Sequence, residues 1–299
     1  MDIVWVAAVG HSGTTFFERL LASNVGVLGA GEVERTAAVM ERPNFRRRRC
    51  SCGAQIADCP IWGAFDSPVT DPAILSASLT ARAKEDGFTH LVDSSKRSTG
   101  MRGYYDAKDR GVIDRIVILR LIRDPRGWAN SMGREKLSEL DAHRLLYRWL
   151  IENLSHDRKY AKQPHVEIVN AWYDKTVLGN VDETLKAVSP QFSFDESRLN
   201  DATQHVIEGS RSAFKPMRGR LSYDPAWLNN RLVQHAFAEL PLVQDYYFAT
   251  QELHLKSGAP KWVGVNDATE FHKVIDGART FAELRRLDPD IARRMKEAA

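Results

Sequence analysis

Short apolar runs alternate with helix-period segments along the first two thirds of the chain. Ile3 to Val9 is apolar and rich in β-formers, which predicts a strand. From Thr14 the period changes, with Phe16, Phe17, Leu20 and Leu21 at helical spacing. Gly10 to Thr15 is the tight polar loop between the two. Ala73 to Asp86 reads as a helix. Phe88 to Val92 reads as a short strand running into Asp93-Ser94-Ser95-Lys96, and Ser98 to Lys108 as a helix despite Gly100 and Gly103. Arg115 to Ile122 is the strongest strand, a run of Ile, Val and Leu that carries two arginines. A helix is expected from Pro125, where proline suits a first turn.

Leu137 to Tyr160 predicts one or two helices, with Leu145, Leu146, Trp149, Leu150 and Leu154 on one face. Val166 to Val169 reads as a strand and Val181 to Val188 as a helix. After Pro190 the pattern weakens. Asp201 to Pro225 is a basic loop region holding His205, Gly209, Arg211, Lys215, Arg218 and Arg220. Leu228 to Leu240 is helical, Trp262 to Val265 reads as a short strand, and Phe271 to Ile275 fits strand or helix. Phe281, Leu284 and Leu287 share one face of a final helix that Asp288-Pro289 ends or kinks. Strands alternating with helices predict an α/β fold, a parallel sheet flanked by helices on both faces. The expected organisation is one main domain over 1–240, with an irregular insertion at about 26–68, and a 241–299 extension packed on the same domain.

With 299 residues, 43% hydrophobic and 27% charged, the composition excludes collagen-like, low-complexity and wholly disordered chains. Forty-two Lys and Arg against 39 Asp and Glu leave +3, too small a bias to name nucleic acid as a partner. No apolar run approaches the roughly twenty residues of a membrane span. Met1 to Val9 is too short for a signal peptide, and Asp2 stands where positive charge is expected. The three cysteines, Cys50, Cys52 and Cys59, form an odd, local set and no disulfide framework. A reducing cytoplasm is the expected compartment. Three fates stay open for them: zinc ligands, although a fourth ligand is not evident, a Cys52–Cys59 pair, or free thiols.

Two segments carry candidate chemistry. Gly10-His11-Ser12-Gly13-Thr14-Thr15 follows a strand and opens a helix, the arrangement that turns backbone amides toward an anion. It lacks the lysine that an ATPase loop places before its last Ser or Thr, because Thr14 stands there. Asp93 is the one candidate for a magnesium-bearing strand end. The second segment, Arg123-Asp124-Pro125-Arg126, closes the strongest strand. Arg123 offers a planar fork to a phosphate, and Ser131 lies eight residues on along the next helix. Local cysteines, basic runs such as Arg46 to Arg49, and isolated histidines are each as well explained by packing or solvation.

Together the two segments resemble the sulfotransferases that use 3′-phosphoadenosine 5′-phosphosulfate (PAPS) and release PAP. His11-Ser12-Gly13-Thr14-Thr15 resembles their 5′-phosphosulfate loop, and Arg123 to Arg126 with Ser131 their 3′-phosphate motif. The resemblance covers roughly residues 1–185, extends more weakly to about 230, and implies a P-loop-type parallel sheet. It implies PAPS contacts from Gly10, His11, Ser12, Gly13, Thr14 and Thr15, with Arg123 and Ser131 on the 3′-phosphate. Gly31-Glu32-Val33-Glu34-Arg35 resembles a segment whose glutamate is the base, which carries Glu32 onto that role. His205 to Arg211 resembles a late segment that closes over the cofactor, with Ser210 where an Asn is usual; Arg211 and Arg218 are its basic contacts. His11 replaces the usual Lys or Arg, so Lys96 is assigned the constant positive charge, with His11 assisting. His11 is the second candidate base and His205 the third.

The resemblance implies sulfuryl transfer to a hydroxyl or amine of a small-molecule, glycan or peptide acceptor, with no obligatory metal. The alternatives are a P-loop nucleotide-dependent phosphotransferase and a non-catalytic nucleotide-binding protein.

Overall fold

Alternate residues of the first strand must serve two apolar faces, and this divides the core. The computed structural model describes residues 1–133, 137–163, 165–200, 204–209, 211–215, 223–258 and 268–296. In β1 (Asp2–Ala7), Ile3, Trp5 and Ala7 face one layer, while Val4 and Val6 face the other with Ala8 just beyond the strand. Next come α1 (Thr14–Ala22), β2 (Val27–Gly29), α2 (Val33–Met40), α3 (Pro72–Glu85), β3 (His90–Asp93), α4 (Met101–Asp109) and β4 (Arg115–Ile122). α5 (Pro125–Gly133), α6 (Glu139–Ala161), β5 (Glu167–Trp172), α7 (Tyr173–Leu178) and α8 (Val181–Val188) follow. The five strands form one parallel sheet in the order β2-β3-β1-β4-β5. α2, α3 and α4 cover one face; α1 and α8 cover the other. This is a single α/β domain, with helices on both faces of its sheet.

The chain then adds α9 (Arg231–Ala238), α10 (Pro241–Gln251), α11 (Ala268–Gly277), α12 (Phe281–Leu284) and α13 (Asp288–Lys296). These helices share one apolar cluster with α5 and α6, which includes Trp149, Tyr246, Ile275, Leu284 and Ile291. Residues 241–258 and 268–296 thus pack onto the same body. β4 supplies their polar anchor. The buried Arg120 guanidinium pairs with Asp157 of α6 and donates to Asn170 of β5 and to the Tyr246 hydroxyl of α10, each at 3.0 Å. Tyr246 in turn donates to Asp157 at 2.6 Å.

The region 26–68 is more ordered than its sequence pattern suggests. It begins with a three-residue strand, β2, and a two-turn helix, α2, and only then becomes a chain of 3-10 turns. Three residues cannot display a period, so β2 left no trace. Leu137 to Tyr160 resolves into one helix, α6, because Ser138 and Asp141 form a reciprocal capping box at its start. Phe271 to Ile275 is helical. Asp288-Pro289 both ends the Phe281–Leu287 turns and opens α13. The strand expected at Trp262 to Val265 lies outside the described residues.

Removing one partner of a buried ion pair leaves the other charge stranded. Asp157→Ala is expected to lower unfolding stability by about 3–5 kcal/mol. Tyr246→Phe, which deletes only the hydroxyl, should lower it by about 1 kcal/mol. Urea unfolding of the two variants checks this, and equal losses would contradict the stranded-charge account.

Candidate functional site

In a parallel sheet every strand delivers its following loop to the same edge, and ligands settle where the strand order reverses. Here that point is β1, whose neighbours β3 and β4 run off to opposite sides. The loops after β1, β2, β3 and β4 meet around a cleft of about 1020 Å³. Gly10, His11, Gly13, Thr14 and Thr15 line it from the first loop, Glu32 and Glu34 from the second, Lys96 and Arg97 from the third, and Arg123 from the fourth.

The first loop is built for close approach of its backbone. His11 has φ 64° and Gly13 φ 93°, both left-handed. A Cβ at Gly13 would meet the Tyr173 ring 2.5 Å away, so only glycine fits. Among the described residues no side chain caps α1, which leaves the first-turn amides at Thr14 and Thr15 for an anion. Ser12 is fully buried, and its Oγ has no partner among the described residues. The Trp128 indole donates to the Gly10 carbonyl and fixes the base of the loop.

Lys96 is the hinge of the site. Its ammonium donates to Thr14 Oγ1 at 2.6 Å and to the Ser94 carbonyl at 2.9 Å, and lies 4.0 Å from Glu32 Oε1. Glu32 is also 3.5 Å from Arg35. Burial pulls the Lys96 ammonium below its ordinary pKa, and the Glu32 and Glu18 carboxylates oppose that pull. Glu34, two residues on, pairs instead with Arg97 at 3.7 Å, and burial raises its carboxyl.

Arg123 leaves β4 and donates to the His11 carbonyl at 3.0 Å, with its guanidinium 5.1 Å from the centre of the Tyr173 ring. Its Nε is buried without a partner among the described residues. The rest of that motif turns inward. Asp124 takes bonds from the Arg126 amide and guanidinium and from the Tyr247 hydroxyl. Arg126 lies against Trp227 and Phe237, 4.6 and 4.7 Å from their ring centres. Asp124 and Arg126 therefore fasten the motif to the C-terminal helices, and Arg123 alone of the three faces the cleft.

Ser131 stands half-buried on α5 and does not line the cleft. Arg211 opens a short 3-10 turn, and Arg218 lies outside the described residues. His205 is turned away from the cleft and packs against the cysteines. Asp93 is spent on structure: its oxygens accept from the Ser95 amide at 2.7 Å and the Tyr104 hydroxyl at 2.8 Å.

One residue of the site had no motif to announce it. Glu18 of α1 is 1% exposed, and one of its oxygens accepts from the Gly31 amide at 2.7 Å while the other accepts from Ser94 Oγ at 2.7 Å. It therefore ties the residue before Glu32 to the loop that carries Lys96. The signal was a lone acid between Phe17 and Leu21 on the buried side of an apolar helix. Burial pushes its pKa from 4.5 up to about 7, against the two hydrogen bonds.

A carboxyl that holds its proton more tightly folded than unfolded disfavours the fold once ionised. Glu18 is expected to reduce stability as pH rises from about 4.5 to about 7, by on the order of 3 kcal/mol in all. In Glu18→Gln this dependence should vanish. The stability difference between parent and variant, followed by urea unfolding across that window, should move toward the variant with rising pH. A difference that stays constant with pH would refute the assignment.

No protein-family model matches the chain, and a search of curated proteins finds no match to it.

Proposed function

We propose that the cleft binds PAPS and transfers its sulfuryl group to a hydroxyl or amine acceptor. The observation that carries this reading is the position of Lys96, whose ammonium bridges the anion-binding loop at Thr14 and the Glu32 carboxylate. A cation held between a phosphate-type loop and a carboxylate is the arrangement that in-line transfer between an anionic leaving group and a proton-bearing acceptor requires. The residues fit such a ligand. Ser12 Oγ and Arg123 Nε are buried polar atoms without a partner among the described residues, and the left-handed turn at Gly13 brings the α1 amides to the cleft. The sheet with this loop after its central strand is of P-loop type, the finer fold that the resemblance implies.

In this reading Thr14, Thr15 and the loop amides hold the phosphosulfate, and Arg123 faces the 3′-phosphate. Glu32 takes the acceptor proton as the acceptor oxygen or nitrogen bonds to sulfur. The bond from sulfur to the phosphate oxygen breaks, and Lys96, assisted by His11, takes up the negative charge left there. PAP and the sulfated acceptor leave. A phosphotransferase reading needs a strand-end acid for magnesium, and the Asp93 carboxylate is already engaged by Ser95 and Tyr104.

Calorimetry with PAP, 5′-AMP and ATP tests the donor class. PAP should bind more tightly than 5′-AMP, and Arg123→Ala should erase that preference by weakening PAP roughly 10- to 150-fold, the loss of a charged hydrogen bond of about 1.5–3 kcal/mol. Magnesium-dependent ATP binding tighter than PAP would transfer the site to the phosphotransferase class.

Glu32→Gln tests the base. With labelled PAPS and an acceptor mixture, turnover should fall by about 10²–10⁴ while PAP affinity stays within about threefold. Unchanged turnover removes Glu32 from the base role. PAP binding by the parent with no transfer to any acceptor would leave a nucleotide-binding protein without catalysis.

A further inference from the structure

Cys50, Cys52 and Cys59 lie within ten positions of one another, and the fold brings a fourth donor to them from 146 residues downstream of Cys59. His205 Nδ1 lies 3.1 Å from Cys59 Sγ and 3.8 Å from Cys50 Sγ, and Cys52 Sγ lies 3.9 Å from Cys59 Sγ. All four donor atoms fall within 4.8 Å of one another. A zinc tetrahedron with Zn–S of about 2.3 Å and Zn–N of about 2.0–2.1 Å has edges of about 3.6–3.8 Å between its donors. The side chains therefore already stand close to the corners of that tetrahedron. We infer that Cys50, Cys52, Cys59 and His205 form a structural zinc site.

The surroundings have the character of such a site. Cys50 and Cys59 are 2% exposed and His205 7%, so three of the four donors are withdrawn from water. The Trp62 amide lies 3.5 Å from Cys59 Sγ as a donor, the kind of N–H···S contact that supports a thiolate. Gly53, with φ 91°, turns the chain directly after Cys52, and its amide donates to the Cys50 carbonyl at 2.9 Å. The Trp62 indole donates to the His205 carbonyl, which fixes the histidine backbone from the cysteine side. Three thiolates and an imidazole fill a tetrahedron, so no position is left for substrate or water, and the role is structural.

The site has a definite mechanical task. Ser51, between two of the ligands, donates its amide to the Val206 carbonyl, and its hydroxyl donates to the Gln204 carbonyl and accepts from the Val206 amide. On the other side the His205 amide donates to Gly29 at the end of β2. The metal would staple the 50–59 turns to residues 204–209 against this sheet edge. That segment forms part of the cleft: Val206 packs on Gly31, whose own Cβ would lie 2.8 Å from it, and Gly209 lines the wall near Glu32. None of the four donors lines the cleft, so the site stands apart from the transfer chemistry and does not depend on it.

Untagged protein, purified without chelator from zinc-supplemented medium, should carry about one zinc per chain by elemental analysis. Cobalt substitution of the parent should give the intense visible bands and thiolate-to-cobalt absorption of a tetrahedral site. His205→Ala should lose the metal or bind it at least tenfold more weakly, and His205→Cys should keep it as a four-thiolate site. If the alanine variant fails to fold, the parent's zinc content and cobalt spectrum still decide. Three results would each overturn the inference: a folded, fully reduced parent free of metal whose melting is unmoved by zinc or chelator; a Cys52–Cys59 disulfide in the peptide map; or His205→Ala with full zinc and an unaltered cobalt spectrum.

Discussion

Glu18 is buried away from the surface, so its two carboxylate oxygens take what the fold brings to them. The fold brings the Gly31 amide from the loop after β2 and the Ser94 hydroxyl from the loop after β3. Since Glu18 itself rides on the helix that follows the β1 loop, three separate strand ends are tied to one group. Gly31 can serve because it adopts φ 72° and leaves room for Val206 above it. One residue beyond Gly31 and two beyond Ser94 the chain reaches the cleft, as Glu32 on one side and Lys96 on the other. The 4.0 Å approach of Lys96 to Glu32 thus follows from a carboxylate that touches neither. Bonds of this kind, short and charge-assisted when Glu18 is ionised, are stiffer than apolar packing and suit the support of a closely placed pair of side chains.

A second restraint acts at the other end of the cleft. Arg123 and Arg126 are three residues apart, yet they do opposite things. Arg126 is consumed by Asp124 and by the faces of Trp227, Phe237 and Tyr247, which anchors the end of β4 to α9 and α10. Arg123 bonds only a backbone carbonyl of the loop by Nη1 and keeps its Nε unpaired among the described residues, so the guanidinium retains capacity for an anion. The chain's net charge of +3 says nothing of this division. Positive charge is placed by position, with acids spent on the arginines that hold structure.

Much of this fold was legible because its signals are local. β4 and α8 match the bounds read from their apolar runs, and the β1–loop–α1 unit follows from a change of period at Thr14. The parallel order follows from alternation of strands and helices. What stayed hidden is non-local or too short. β2 spans three residues and α7 six, below the length at which any period shows. α10 has Pro241 at its start, which reads as a break until the first-turn position is known. Arg120 in β4 looked like an odd charge in an apolar strand, and only its partners on α6, β5 and α10 explain it. The site divides the same way. The loop, Lys96 and Arg123 could be picked by residue type and strand-end position and Glu32 by the resemblance of its segment, and they share one cleft. Glu18 could not, because its role depends on two loops distant in sequence.

His205 shows why residue type alone misassigns chemistry. A histidine in a basic late segment, beside Glu208 and Gly209, suggests work on an anionic ligand. The backbone decides otherwise, because β2 ends at Gly29 and the next polar edge available to residues 204–206 is Ser51. Pairing with both at once aims the imidazole at Cys50 and Cys59 and brings Glu208 to Arg48 and within 4.0 Å of Arg42. The same pairing sets Val206 on Gly31 and Gly209 beside Glu32, so one short segment is held by the sheet edge and the cysteine turns and presses on the loop that carries the candidate base. The carboxylate of Glu32 is therefore braced from two sides: from beneath by Glu18 through Gly31, and from above by a segment whose own position is set at the cysteines. Neither brace is a residue of the Glu32–Lys96 pair, so the spacing of that pair depends on contacts remote from it in sequence.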